Sequence, residues 1–223
     1  VVLSELVARV RGNIARGDKD DLIRGWLNEG LLELARLHDW RVLDTRATIY
    51  TEPGVELSEL PGDLRVLQAV RVDSWLVPEV HPLEMDRMRP STRTVLKGRP
   101  RYYALQGNKG SSRQHIRWLP VPDAAYPVEL QYSRWPKPMA ADDDEPELPN
   151  VDDALIAYAT AEGFMHLQLY EDAAAWRSEW MRRVGVGARL DRRRDGWTPG
   201  WIKVPHNMPT GDAAFDPFVR RVR

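Results

Sequence analysis

Residues 22–51, LIRGWLNEGLLELARLHDWRVLDTRATIYT, contain the change of period that decides the fold. Leu22, Trp26, Leu27, Leu34 and Leu37 recur at helical spacing and predict a helix that fades near Trp40. Gly30 inside that pattern costs about 1 kcal/mol relative to Ala, and its presence predicts a close helix crossing. From about Arg46 the period shortens. Ala47 and Ile49, flanked by Thr48, Tyr50 and Thr51, predict a strand that ends at Pro53-Gly54.

Working toward the N-terminus, Leu3, Leu6, Val7, Val10 and Ile14 lie on one helical face. Gly17 interrupts, Asp18 is placed to cap the next helix, and Asp21 suits its first turn. Toward the C-terminus, Leu60-Pro61-Gly62-Asp63 is a turn signal, and Arg65–Val72 reads as a strand. Pro78, Pro82 and Pro90 break up the stretch 77–100, leaving room only for a short helix at Leu83–Met88. Arg101–Leu105 and Gln114–Leu119 flank Gly107-Asn108-Lys109-Gly110, a hairpin connection. In the second of those strands Ile116 and Trp118 share a face and Arg117 takes the other. Val128–Tyr132 is one more strand. Asn150 and Asp153 predict a cap for a third helix carrying Leu155, Tyr158, Ala159 and Phe164 or Met165. A fourth helix from Tyr170 carries Ala173, Trp176, Trp180 and Val184, with Gly185 as its stop.

Helix signals thus bracket strand signals. The expectation is an α+β fold: an antiparallel-type bundle made from the N- and C-terminal helices, with an inserted β-rich lobe. The segments are 1–45 (bundle), 46–135 (lobe), 136–150 (acidic linker), 151–194 (bundle) and 195–223 (arm).

The arm is unusual. Its Pro and Gly content excludes a helix or a central strand. Yet it carries Trp197, Trp201, Ile202, Val204, Phe215 and Phe218, and solvated tails are poor in such residues. Fully extended it reaches roughly 95 Å, and each large side chain it buries contributes on the order of 1.5–3 kcal/mol. It reads as a docking arm whose wall belongs to a neighbour or another protein. The alternative is a strap over its own domain.

Composition narrows the function. The net charge is −1, so nothing pulls the whole chain toward nucleic acid or acidic lipid. No apolar run approaches a membrane span, and no membrane partner is expected. The N-terminus reads as an amphipathic helix rather than a secretion signal. The absence of cysteine removes disulfides, thiol nucleophiles and cysteine metal sites, and suits synthesis in a cytoplasm. Nine tryptophans fit cores and interfaces alike.

Catalytic patterns are weak. His38, His81, His115, His166 and His206 are scattered, with no His-Glu-x-x-His pair. Asp142-Asp143-Asp144-Glu145 lacks the ligand alternation of a calcium loop and reads as a solvated linker. Gly185-Val186-Gly187 follows a helix and lacks a third glycine, so it is not a dinucleotide fingerprint. Neither a Walker loop nor a nucleophile elbow occurs. No enzyme activity and no cofactor are expected; an enzyme using His166 or His115 is a remote rival. Arg182, Arg183, Arg189, Arg192, Arg193 and Arg194 cluster near the end of the fourth helix, where cations suit its dipole. They suit a partner's carboxylates, or phosphates if the chain is a nucleic-acid-binding module. No aromatic platform interleaves them.

Four motifs together resemble tailed-phage head–tail adaptor proteins. The first is Leu22-Ile23-x-x-Trp26-Leu27-Asn28-x-x-Leu31-x-x-Leu34-Ala35-x-x-x-Asp39-Trp40. The second is Leu60-Pro61-x-Asp63 before a valine-rich strand. The third is Leu119-Pro120-x-Pro122-Asp123-x-x-Tyr126, continuing through a strand to Tyr132, Pro136, an acidic linker and Leu148-Pro149. The fourth is Leu155-Ile156-x-Tyr158-Ala159. They span 22–180, and their order carries the resemblance. It implies a virion structural protein: a homo-oligomeric ring, usually of twelve copies, beneath the portal protein. Genomic DNA would pass through the ring without sequence-specific contact, and the next tail or head-completion protein would stack on it. It also implies a C-terminal segment that docks on the portal or on neighbouring subunits, and it brings no catalytic residues. A tail-tube or baseplate position is the alternative.

Overall fold

The structure is a computed structural model, described here for residues 1–15, 19–88, 96–107 and 114–193. The expected interruption at Gly17, the Asp18 cap and the 108–110 turn lie outside the described residues. The chain is α+β, with five helices and two antiparallel sheets.

Helices α1 (Leu3–Ile14), α2 (Asp20–Leu37), α4 (Asp152–His166) and α5 (Tyr170–Arg193) share one core. Leu3, Leu6, Val7, Val10 and Ile14 are all buried, as the period of α1 requires. Helix α4 differs from the rest. Ala154 through Ala161 are buried without a break, so this helix is covered all round. The others pack around it, and two glycines let them approach closely. A Cβ on Gly30 would stand 2.9 Å from the Tyr158 ring, and one on Gly163 would stand 2.8 Å from Ile14. The close crossing expected at Gly30 is therefore real.

The strands lie between α2 and α4. Strands β1 (Asp44–Tyr50), β7 (Pro127–Arg134), β3 (Leu64–Val72) and β4 (Trp75–Val77) form one sheet in the order β1-β7-β3-β4. Strands β2 (Leu57–Glu59), β6 (Gln114–Leu119) and β5 (Tyr102–Gly107) form the other, in the order β2-β6-β5. Side chains of both sheets meet in a second core that includes Val70, Val128, Leu130, Ile116 and Trp118. Ile116 and Trp118 face inward together, while Arg117 faces Glu56 and Asp86. Gly54, at φ 80, makes the turn that ends β1. Thr51 closes this end of the lobe: its hydroxyl donates to the Ala124 carbonyl at 2.9 Å and accepts from the Tyr126 amide at 2.9 Å. A short helix α3 (Pro82–Met88) follows β4 and buries Met85.

Three local expectations change. Gly185 does not stop the last helix, which runs on to Arg193. A Cβ on Gly187 would stand 3.3 Å from the Trp40 ring, so this glycine lets α5 pass close over a buried tryptophan. That packing offsets the helix cost of two glycines, about 1 kcal/mol each. Asn150 does not cap α4. It sits at φ 58 in the turn before the helix, the N-cap is Val151, and no side chain caps it. The two short strands β2 and β4 had no sequence signal, because three residues are too few to show a period.

Candidate docking surfaces

The acidic segment 136–150 does more than meet solvent. Asn28 on α2 pairs with the backbone of Met139 in both senses. Its amide donates to the Met139 carbonyl at 2.9 Å, and the Met139 amide donates to its carbonyl at 2.8 Å. Asp144 Oδ2 accepts from the Ala140 and Ala141 amides, which holds its carboxyl below the usual range. The carbonyls of Asp144 and Asp142 accept from the Leu3 and Ser4 amides, so the segment satisfies the open N-terminal turn of α1. Arg24 binds Asp142, and Arg134 forms paired bonds to Glu147, one at 2.9 Å. Burial alone would raise the Glu147 pKa; the Arg134 bonds, the bond from the Lys137 amide and the charges of Arg134 and Lys137 together outweigh it and hold the carboxyl low.

A second anchor joins the end of α5 to the start of the lobe. Trp40 is fully buried, and its indole donates to the Leu34 carbonyl at 2.9 Å. The His38 ring stands edge-on to it at 5.0 Å. His38 Nε2 in turn lies 3.1 Å from Asp191 Oδ2, and both side chains are nearly buried. Local spacing does not name the partner of His38, because that partner lies 153 residues away.

The arginine cluster divides. Arg182 donates two bonds to Glu179, at 2.7 and 2.6 Å. Arg183 donates to Glu179 at 2.6 Å and reaches Asp153 on α4 at 2.9 Å. Bonds from Arg182 and then Arg183 pull the Glu179 carboxyl down to about 2. Arg189 is exposed. Arg192 and Arg193 lie in the last turn of α5, and Arg194 lies outside the described residues. The cluster therefore rides on the helix instead of following its end, and two of its members are engaged with carboxylates of the same subunit. The arm residues Trp197, Trp201, Ile202, Val204, Phe215 and Phe218 lie outside the described residues.

The structure also turns large apolar side chains outward, and the sequence reading singled out none of them as surface. At the tip of the lobe Trp75 is 70% exposed and Leu76 66%. They border a cleft of about 750 Å³ that Met88, Leu96, Pro100 and Tyr102 also line. The Arg99 guanidinium sits over the Trp75 ring at 5.7 Å. On the bundle, Met181, Val186 and Leu190 are exposed on α5, and Leu22, Leu32 and Leu37 on α2. Around the cleft, where several exposed apolar side chains come together, the surface is of the kind that serves as an interaction site.

Among the described residues no group of three or more His, Asp and Glu side chains could hold a metal ion. No helix there is long and apolar enough to cross a membrane.

No curated protein matches the chain. The family described as SU10 adaptor protein matches residues 3–203, nearly the whole chain. The match takes in both helical ends and the inserted strands, and it continues past α5 into the segment holding Trp197 and Trp201. By that coverage the chain belongs to the SU10 adaptor family of phage head–tail adaptor proteins.

Proposed function

We propose that this chain forms an oligomeric ring beneath the portal, around the DNA channel, and docks through its C-terminal arm. The observation that carries the reading is membership of an adaptor family along almost the entire chain. The outward apolar side chains of α2, α5 and the lobe tip support it, since a ring subunit needs surface for both neighbours and for the layers above and below. The partners are further copies of itself, about twelve if the ring follows the family habit, the portal protein and the next tail or head-completion protein. DNA passes through the lumen without sequence readout. Protein–protein use of the arginines is favoured over a DNA-reading module, because Arg182 and Arg183 already bond carboxylates of the subunit. Ordering of the arm is coupled to docking, so assembly waits for the portal to offer a site.

Deleting 195–223 tests the proposal. The truncated chain should fold with an unchanged melting temperature and fail to join heads; normal attachment of that chain removes the arm from the mechanism. Replacing Trp197 and Trp201 together by Ala should reduce head joining more than it lowers the melting temperature. Equal losses in both assays favour a strap over the parent domain.

A further inference from the structure

Helix α4 is the buried axis of the bundle, and both α2 and α5 pack on it. Gly30 seats α2 against Tyr158. Trp180 seats α5 against the same ring, edge to face at 5.2 Å. The faces of α2 and α5 turned away from α4 are not alike. On α5, Val186 and Leu190 lie one turn apart and are exposed, with the exposed cations Arg182 and Arg189 on the same side of the helix. On α2, Leu22, Leu32 and Leu37 are exposed and alternate with the exposed acids Asp21 and Glu29. Two internal pairs soften the contrast without cancelling it: Arg182 bonds Glu179 on its own helix, and Glu33 bonds Arg36 on its own. Arg189 adjoins Leu190, and Glu29 lies between Leu22 and Leu32 along α2.

We propose that the outer face of α5 packs on the outer face of α2 in a second copy of this chain. The occupant follows from charge. Packing α5 on α5, or α2 on α2, would set Arg189 near Arg189 or Glu29 near Glu29, and like charges at an interface are repulsive. Packing α5 on α2 instead opposes base to acid and apolar side chains to apolar side chains. A contact between two different faces of the subunit repeats from copy to copy and makes a ring where the rotation closes. The inference rests on the ring reading above and names the surfaces that build the ring.

The absence of cysteine makes the test clean, since introduced thiols are unique. Full-length chains carrying Leu32→Cys with Val186→Cys, or Leu32→Cys with Leu190→Cys, are allowed to assemble on heads and treated with a short bis-maleimide. A ladder of covalent multimers on a denaturing gel, with monomer alone from each single-cysteine chain, is the expected result. Particles that contain the chain but give only monomer from both pairs overturn the contact and leave the adaptor reading standing. Heads that carry no copies of the unmodified chain remove both. A charge exchange checks the register. Arg189→Glu should weaken each contact by about fivefold, and Glu29→Arg added to it should restore assembly. A loss that the second change does not restore, or no loss at all, also overturns the pairing.

Discussion

The helical half and the sheet half of this molecule are held by different means. The helical half is one core around α4, with glycines at the crossings and Trp40 buried at its edge. The sheet half divides its apolar residues between a core of two facing sheets and a small cluster of Met85, Ala104 and Leu119. It also leaves Trp75 and Leu76 out on a three-residue edge strand. Short exposed edges are where sheets are open to pairing. The contrast teaches that one half is a frame whose tolerances are tight, while the other presents surface at its tip.

The sharpest way to break that comparison is Trp40→Ala. It removes a fully buried indole from the point where α5, α2 and the lobe meet, and should cost about 3–5 kcal/mol. Chemical denaturation would read this as a lower midpoint. A cost near zero would mean that the junction is not part of the frame. Next come the glycines. Gly30→Ala and Gly163→Ala should each destabilise by about 1–3 kcal/mol, because the new methyl meets Tyr158 or Ile14. Gly185→Ala meets nothing within 4 Å and should stabilise by up to about 1 kcal/mol. If all three behave alike in thermal melts, the tight crossings are not what holds α4.

Glu147→Gln removes the carboxylate from the Arg134 pair and should cost about 1.5–3 kcal/mol. The same pair fixes a pH dependence. The Glu147 carboxyl is held below its ordinary value in the folded chain, so its contribution is present above the usual carboxylate range. It is lost as the pH falls through the lowered folded value. Stability of the parent chain should therefore decline with acid more steeply than that of Glu147→Gln. The smallest effect is expected at the lobe tip. Trp75→Ala should change the melting midpoint by no more than the equivalent of about 0.5 kcal/mol, because the side chain is largely exposed. A large loss there would show that the tip is structural.

Much of this was legible along the chain. The α1 stripe, the change of period after Trp40, the inward Ile116 and Trp118, and the Gly30 crossing all follow from spacing, because spacing is local information. The exposed apolar side chains were less so. An exposed Leu32 or Val186 resembles a core residue until the fold shows which face is covered. The partners of Asn28 and His38 lie more than a hundred residues away, beyond the reach of any local pattern.

Local spacing, then, determined which segments are helix and strand, that α1 and α2 have one apolar side each, and which family the chain resembles. Tertiary structure decided what those elements do to one another. It carried α5 past Gly185 because Trp40 lay beneath Gly187, and it pinned the acidic segment to α2 and α1. It also drew β2 and β4 into sheets that three residues alone do not specify. The physical reason is that a periodic pattern records which face must be dry, whereas the surface that dries it is supplied by a distant part of the chain.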